Sequence, residues 1–313
     1  MARILYVSRN TAGPVGGVRN IDRHVEALVR HGFDAYSLLP SVHARNFSER
    51  RGPIMVADAS FIPRPDDRVV APEPWRRELA FLRTLPGRKL VFCQNHYLVF
   101  HGLGDAPDYA AYGVETVFAL SHAIAWFLER AFGLSGVPVI PPVIDGELFR
   151  PFPKRRQIVL MPRKMPEEAP LLLRLFRARH RDLADVPWHA LHNLPATEVA
   201  RHLGESAVFL SLSIDEGLGF PPLEAMAAEA LVAGFHGQGG LDYATDANGE
   251  WSAADDFVGC VDALARAVRL FDRGSPDTAA RIAAGRATAA RYSTAEMERA
   301  LVAFWRAELA ASR

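Results

Sequence analysis

The sequence predicts an α/β protein made of two units, each a mostly parallel sheet with helices packed against it. Three observations carry this. Short apolar runs alternate with stretches of helical periodicity at about 30 residues per pair, the spacing of βαβ units. The stretch Asp145 to Arg156, rich in Pro, Phe and basic residues and without periodicity, interrupts the alternation and reads as a linker. A chain of 313 residues suits about two domains. The expected division is 1–150 and 151–292, with a last helix in 293–313.

Ile4 to Val7 is a first strand. Ser8 to Gly17 is a polar loop ending Gly-Pro-Val-Gly-Gly. Val18, Ile21, Val25, Leu28 and Val29 then share one helix face, and Gly32 suits a C-cap. Ala35 to Leu39 is the second strand. Ser41 to Gly52 is arginine-rich and aperiodic, a loop. Ile54 to Ala57 and Val69 to Ala71 read as short strands, Trp75 to Leu85 as an amphipathic helix, and Leu90 to Gln94 as a strand leading to His96. Val117 to Ser121 is another strand, followed by a helix from His122 to Phe132. Val137 to Ile144 is extended.

After the linker the pattern repeats. Strands are expected at Ile158 to Met161, Trp188 to Leu191, Val208 to Leu212 and Leu231 to Phe235. Helices are expected at Ala169 to His180, Ala196 to His202, from Leu223, Val261 to Arg273 and Thr278 to Ala290. The last helix opens on Ser293 and Glu296, a Ser-x-x-Glu capping box. Met297, Leu301, Phe304 and Trp305 form an apolar face that must dock on something.

Formal net charge is zero, so there is no global electrostatic reason to bind nucleic acid or an anionic membrane. Cys93 and Cys260 are far apart and read as buried free thiols in a reducing cytoplasm. No apolar run reaches the roughly 18 residues of a spanning helix. The start, Met-Ala-Arg-Ile-Leu-Tyr-Val, is too short and lightly charged for a signal peptide. A cytoplasmic protein is expected. Contact of the Ser41 to Gly52 loop with the inner face of a membrane is the less favoured alternative.

The most informative stretch is Ser211 to Ala227. A strand runs into two glycines and two prolines and then a helix, a setting in which backbone N–H groups point at an anion. Glu216 stands before the turn and Glu224 in what reads as the helix's first turn, where the macrodipole favours a carboxylate. Solvated carboxylates at this spacing also arise by chance. These, however, sit at the carboxyl end of a parallel strand, where open α/β sheets bind ligands. Carboxylates accept hydrogen bonds from vicinal hydroxyls, so a sugar nucleotide suits the pair.

Arg163 and Lys164 end the first strand of the second unit and suit a diphosphate, Arg bidentately and Lys as a point charge. The chain's only lysines are Lys89, Lys154 and Lys164, so one placed here stands out from a solvated surface. Gly13 to Gly17 is a tight turn or a phosphate approach; it is neither Gly-x-Gly-x-x-Gly nor a P-loop. His96 follows a strand end. His189 and His192 lie three apart on a strand, on opposite faces, which is poor for one metal. No Asp-x-Asp, zinc spacing or Gly-x-Ser-x-Gly elbow is present.

Glu216-Gly217-Leu218-Gly219-Phe220-Pro221-Pro222-Leu223-Glu224 resembles the signature of retaining glycosyltransferases of the GT-B fold, family four in the usual classification. Gly16-Gly17, Val117 to Ser121, Val139 to Phe149, Gly239 to Tyr243 and Tyr292-Ser293 resemble its other segments in order. The resemblance implies two Rossmann-like domains facing across a cleft, the first on the acceptor side, the second holding the nucleotide sugar. It implies that the final helix packs back on the first domain. By position, Glu224 should hold the nucleotide ribose and Glu216 lie near the donor sugar. Backbone groups of Gly217, Leu218, Gly219 and Phe220 should meet sugar or phosphate, and Gly16 and Gly17 the diphosphate. His96 resembles a histidine near the sugar, and base contacts are expected around His192 and Asn193. The family has a lysine five positions after its arginine; here that position is Glu168, and Lys164 is the candidate substitute.

The activity so implied is transfer of a hexosyl group, with retention, from a nucleotide diphosphate sugar to a glycan, lipid or small-molecule acceptor. Neither metal nor cofactor is expected. Front-face attack would leave the protein to position the reactants and stabilise the departing diphosphate. Two rivals are a nucleotide-sugar epimerase on the same fold and a non-catalytic relic that binds the nucleotide sugar. A pyridoxal phosphate phosphorylase is disfavoured, since beyond Lys164 the second unit has no lysine for a Schiff base.

Overall fold

A computed structural model describes residues 2–9, 16–40 and 51–311. The chain divides into two compact units, Met1–Pro142 with Thr294–Arg313, and Val143–Ser293. The first unit runs β1 (Ile4–Val7), α1 (Gly16–Arg30), β2 (Ala35–Leu39), β3 (Ile54–Val56), β4 (Arg68–Pro72), α2 (Arg76–Leu82), β5 (Arg88–Cys93), α3 (Val99–Leu103), β6 (Val114–Ala119) and α4 (His122–Phe132). Its strands are all parallel, in the order β3-β2-β1-β4-β5-β6. The order reverses between β1 and β4. All of β1 and β4 is buried, as in sheets covered on both faces, which is why these strands read as unbroken apolar runs.

The second unit runs β7 (Arg155–Leu160), α5 (Glu168–Arg179), β8 (Trp188–Ala190), α6 (Ala196–Glu205), β9 (Ser206–Leu212), α7 (Phe220–Ala227), β10 (Leu231–Phe235), β11 (Glu250–Ser252), α8 (Phe257–Arg273) and α9 (Pro276–Ala290). Its parallel order is β11-β10-β9-β7-β8, reversing between β7 and β9. Leu160, Leu210, Phe235, Val261 and Leu264 are among the residues of its core.

The last helix, α10 (Thr294–Ala310), belongs to the first unit. Its apolar face docks there. Trp305 is fully buried and its indole N–H donates to the Tyr6 hydroxyl at 3.1 Å. The Phe304 ring lies 4.8 Å from that of Phe118. Glu308 accepts from Arg88, and Glu298 pairs with Arg30 at 3.0 Å.

Several sequence readings need correction. α1 begins at Gly16, so Gly16 and Gly17 head the helix and are not loop; the glycine penalty falls mainly on helix interiors and did not bar this start. α7 begins at Phe220, not Leu223, because proline is tolerated in a first turn, where no intrahelical N–H bond is lost. Glu224 is therefore its fifth residue, past the first turn, and the macrodipole argument for it weakens. β8 ends at Ala190, so His192 is not on the strand. Val137 to Ile144 contributes only the bridge of Val139 to Ala119. The short strand β11 and helix α3 escaped the sequence reading. Gly13 and most of the Ser41 to Gly52 loop lie outside the described residues. Cys93 and Cys260 are free and buried; burial pushes both thiols up, Cys260 to about 12.

Candidate active site

The second unit brings the predicted charged residues together at the point where its strand order reverses. β7 ends at Leu160 and passes into a 3-10 turn, Pro162–Lys164. β9, its neighbour, ends at Leu212 and passes through Ser213 to Glu216. Such a point, outside the carboxyl ends of the two strands, is where doubly wound sheets hold ligands. Arg163, Lys164, Glu216 and Pro221 line one small depression of about 130 Å³ there. That is below the range of whole-ligand pockets. Lys164 Nζ lies 3.1 Å from Glu216 Oε1 and also donates to the Asp215 carbonyl. Both side chains of this pair are 26% exposed, so water competes for it and its own contribution to stability is small. Arg163 is exposed.

The turn between Glu216 and α7 is held from behind. Leu218 is buried, and Gly219 caps α7 with φ +83°. The Tyr243 hydroxyl donates to the Gly219 carbonyl at 3.2 Å. Tyr243 itself is buried, edge-on to Trp251 and Tyr292, and burial holds its phenol well above the usual range. It is thus a fixed neutral donor. The Gly217 to Phe220 backbone is therefore presented on a rigid support. Glu224, half-buried on α7, is not among the residues lining the depression. Asn193 is exposed beyond β8 with φ +49°, a left-handed position that Asn tolerates. Glu168 is the half-buried first residue of α5, in its first turn, a favourable place for a carboxylate.

Gly16, Gly17 and His96 belong to the first unit. Gln94 ties two of them to one turn. Its side-chain amide donates to the Gly17 carbonyl at 3.1 Å and accepts from Asn20 at 2.9 Å. His96, two residues on, is buried against Tyr97 and Phe127, with ring centroids 4.3 and 5.0 Å away. Sequence reasoning missed what holds this turn. Glu73, buried at the end of β4, accepts from the backbone N–H groups of Gln94 and Asn95, both at 3.1 Å. Burial pushes its carboxyl up to about 7, against the opposing pull of those amides. The signal available was a lone acid directly after an apolar strand.

A second miss is larger. The carboxyl ends of β1 to β4 open onto a groove of about 760 Å³, lined among others by Arg9, Trp75, Arg77 and Glu78. Here the Arg9 guanidinium stacks 4.4 Å over the Trp75 ring and bonds Glu78 bidentately through Nε and Nη2. Among the described residues no three His, Cys, Asp or Glu converge as metal ligands.

No protein-family profile matches the sequence. An alpha-1,6-glucosyltransferase of Actinobacillus pleuropneumoniae serotype 7 is 24% identical over 279 residues, covering 86% of this chain and 83% of that one. A glycosyltransferase of Rickettsia africae superposes with TM-score 0.70 over 98% of each chain, at 16% identity. Anabaena HepE, solved in complex with UDP-glucose, superposes with TM-score 0.73 over 98% of this chain and 100% of that one, at 13% identity. The fold is that of the GT-B glycosyltransferases. Both units of the GT-B arrangement fall within the aligned length. Among the described residues no helix is long and apolar enough to cross a membrane.

Proposed function

We propose that this chain is a retaining glycosyltransferase of the family-four type, drawing a hexosyl group from a nucleotide diphosphate sugar. The observation that carries the reading is the convergence of Arg163, Lys164 and Glu216 at the reversal point of the second sheet. Two cations beside a rigid glycine turn are equipped to receive a diphosphate, and a carboxylate beside them to receive sugar hydroxyls. Similarity to the alpha-1,6-glucosyltransferase and to a fold solved with UDP-glucose supports the same class.

In this reading Lys164 exchanges Glu216 for the diphosphate when donor enters. Glu216 is thereby released to the sugar hydroxyls, and Arg163 and Lys164 stabilise the charge that develops on the leaving group. Glu224 binds the ribose from the second turn of α7, and Asn193 contacts the base. With both cations supplied by the protein, no metal is required for the transfer.

The test is a panel of UDP-, GDP- and ADP-sugars with the purified protein, with and without EDTA. Slow hydrolysis of one donor is expected, unaffected by EDTA, and NMR should show the released sugar first in the donor's own anomeric configuration. An inverted first product refutes retention. Conversion of the donor sugar to its epimer, without release, favours an epimerase. Absence of binding to any nucleotide in calorimetry overturns the reading altogether.

A further inference from the structure

The groove of the first unit has a composition that the second unit's site does not need. We propose that it binds a saccharide carrying a negatively charged group, phosphate or carboxylate; under the function proposed above, on which this name rests, that saccharide is the acceptor.

Its floor is apolar, formed by Val7, Leu39 and Phe81. One wall is the Arg9–Trp75–Glu78 assembly. The Glu78 side chain is 16% exposed and that of Arg9 39%; the two-point geometry of their bond, more than burial, fixes the guanidinium plane over the indole. A sugar ring presents C–H faces that suit an indole and an apolar floor, and hydroxyls that suit a carboxylate and guanidinium side by side. The volume, about 760 Å³, lies within the range of small-molecule pockets.

Charge decides the class of saccharide. Among the described residues Glu78 is the groove's one lining carboxylate, and it is matched by Arg9. Arg76 and Arg77 also line it. Among the described residues Arg76 pairs only with Asp105, 3.5 Å away and fully exposed, a contact that contributes little. Arg77 makes no hydrogen bond or ion pair among the described residues. Among the described residues, two guanidinium charges thus stand without effective compensation at the rim of a groove whose lining is otherwise neutral. A neutral sugar would leave them unused, whereas an anionic substituent would meet bidentate donors.

The experiment titrates the full chain, at low salt, with glucose, glucose 6-phosphate, glucuronate and UMP, read by calorimetry. At least one anionic sugar should bind about tenfold or more tighter than glucose, the worth of one charge-assisted hydrogen bond. Which of the two wins tells phosphate from carboxylate. The variant R76Q/R77Q, altered only at exposed positions, should bring that sugar down to the affinity of glucose. W75A should abolish binding of all three sugars while its circular dichroism stays unchanged. Equal affinities for glucose and both anions, an undiminished gap in R76Q/R77Q, or UMP displacing the sugars overturns the proposal. The proposed function fails separately: if nucleotides do not bind but the anionic sugars still discriminate, the transferase reading falls and the groove's assignment stands.

Discussion

The two units carry the same kind of parallel sheet but finish their strand ends differently. In the second, the charged residues follow two adjacent strands directly, Arg163 and Lys164 after β7 and Glu216 after β9, and one stretch of the chain supplies turn, carboxylates and helix. In the first, the groove is assembled from the ends of four strands and a helix, and a buried carboxylate props the neighbouring turn. The first unit also depends on the end of the chain, which returns as α10. One site is written locally, the other by topology.

That dependence gives the largest expected effect. Trp305 is fully buried and bonded to Tyr6 on β1, so Trp305→Ala should destabilise the first unit by about 3–5 kcal/mol. The second unit, whose core lies within 143–293, should be spared. Urea unfolding followed by hydrogen exchange in each unit checks this. An equal loss in both units would mean that they unfold as one and that the contrast has no energetic content.

Glu73 comes next. Burial raises its carboxyl from 4.5 to about 7, so the folded state holds a proton that the unfolded state releases between those values. The stability this confers is fully present below about pH 4.5 and is lost as pH rises through 7; the span corresponds to about 3 kcal/mol. Buried His24 works in the opposite direction. Its imidazole is lowered to about 3, so its contribution is present above pH 6.5 and falls away in acid. Raw pH profiles therefore mix two signs. The difference between wild type and Glu73→Gln isolates the carboxylate, and wild type should lose ground to the variant as pH rises from 5 to 8. A flat difference would show that the carboxyl titrates normally.

On the other side of the comparison, Arg163→Ala should lower turnover by a factor of about 100 or more, as when one preorganised donor to developing charge is removed. Exposed as it is, Arg163 should change stability little. Single-turnover rates beside melting curves separate the two, and an unchanged rate removes Arg163 from the site.

How much was legible follows the same divide. The central strands of both sheets were readable, because strands buried on both faces are unbroken apolar runs and β1, β2 and β10 lie where those runs lie; the half-buried edge strand β11 carries no such run. The association of Arg163, Lys164 and Glu216 was readable because each directly follows a strand, and parallel neighbours bring their ends together. The start of α7 was misread because two prolines suggest a loop, although a first helical turn accepts them. The groove was not readable at all. Arg9, Trp75 and Glu78 are each ordinary in sequence, and only the β3-β2-β1-β4 order makes neighbours of residues 9 and 78. Glu73 was missed since burial, not sequence, distinguishes it from any surface acid.

The smallest effects concern the glycines, where the two units should respond differently. Gly219 sits at φ +83°, and a β-carbon there would come 3.1 Å from Ser213 Oγ and 3.2 Å from Tyr243 Oη. Gly219→Ala should therefore cost about 1–2 kcal/mol from left-handed backbone alone. It should also loosen the Tyr243 support of the turn. Gly17 has no such constraint. It lies at the start of α1, outside the left-handed region, and its added β-carbon would meet only the end of the Gln94 side chain, at 3.3 Å. The end of the Gln94 side chain can give by a few tenths of an ångström, so Gly17→Ala should change stability by less than about 0.5 kcal/mol. Donor turnover then separates the possible reasons for glycine at position 17. If Gly17→Ala folds as well as wild type but turns over donor more slowly, the position is kept small for a ligand, as the resemblance to the glycine loop implies. If both stability and turnover are unchanged, Gly17 is only the first turn of a helix, and of these two glycines only Gly219 is required by its backbone.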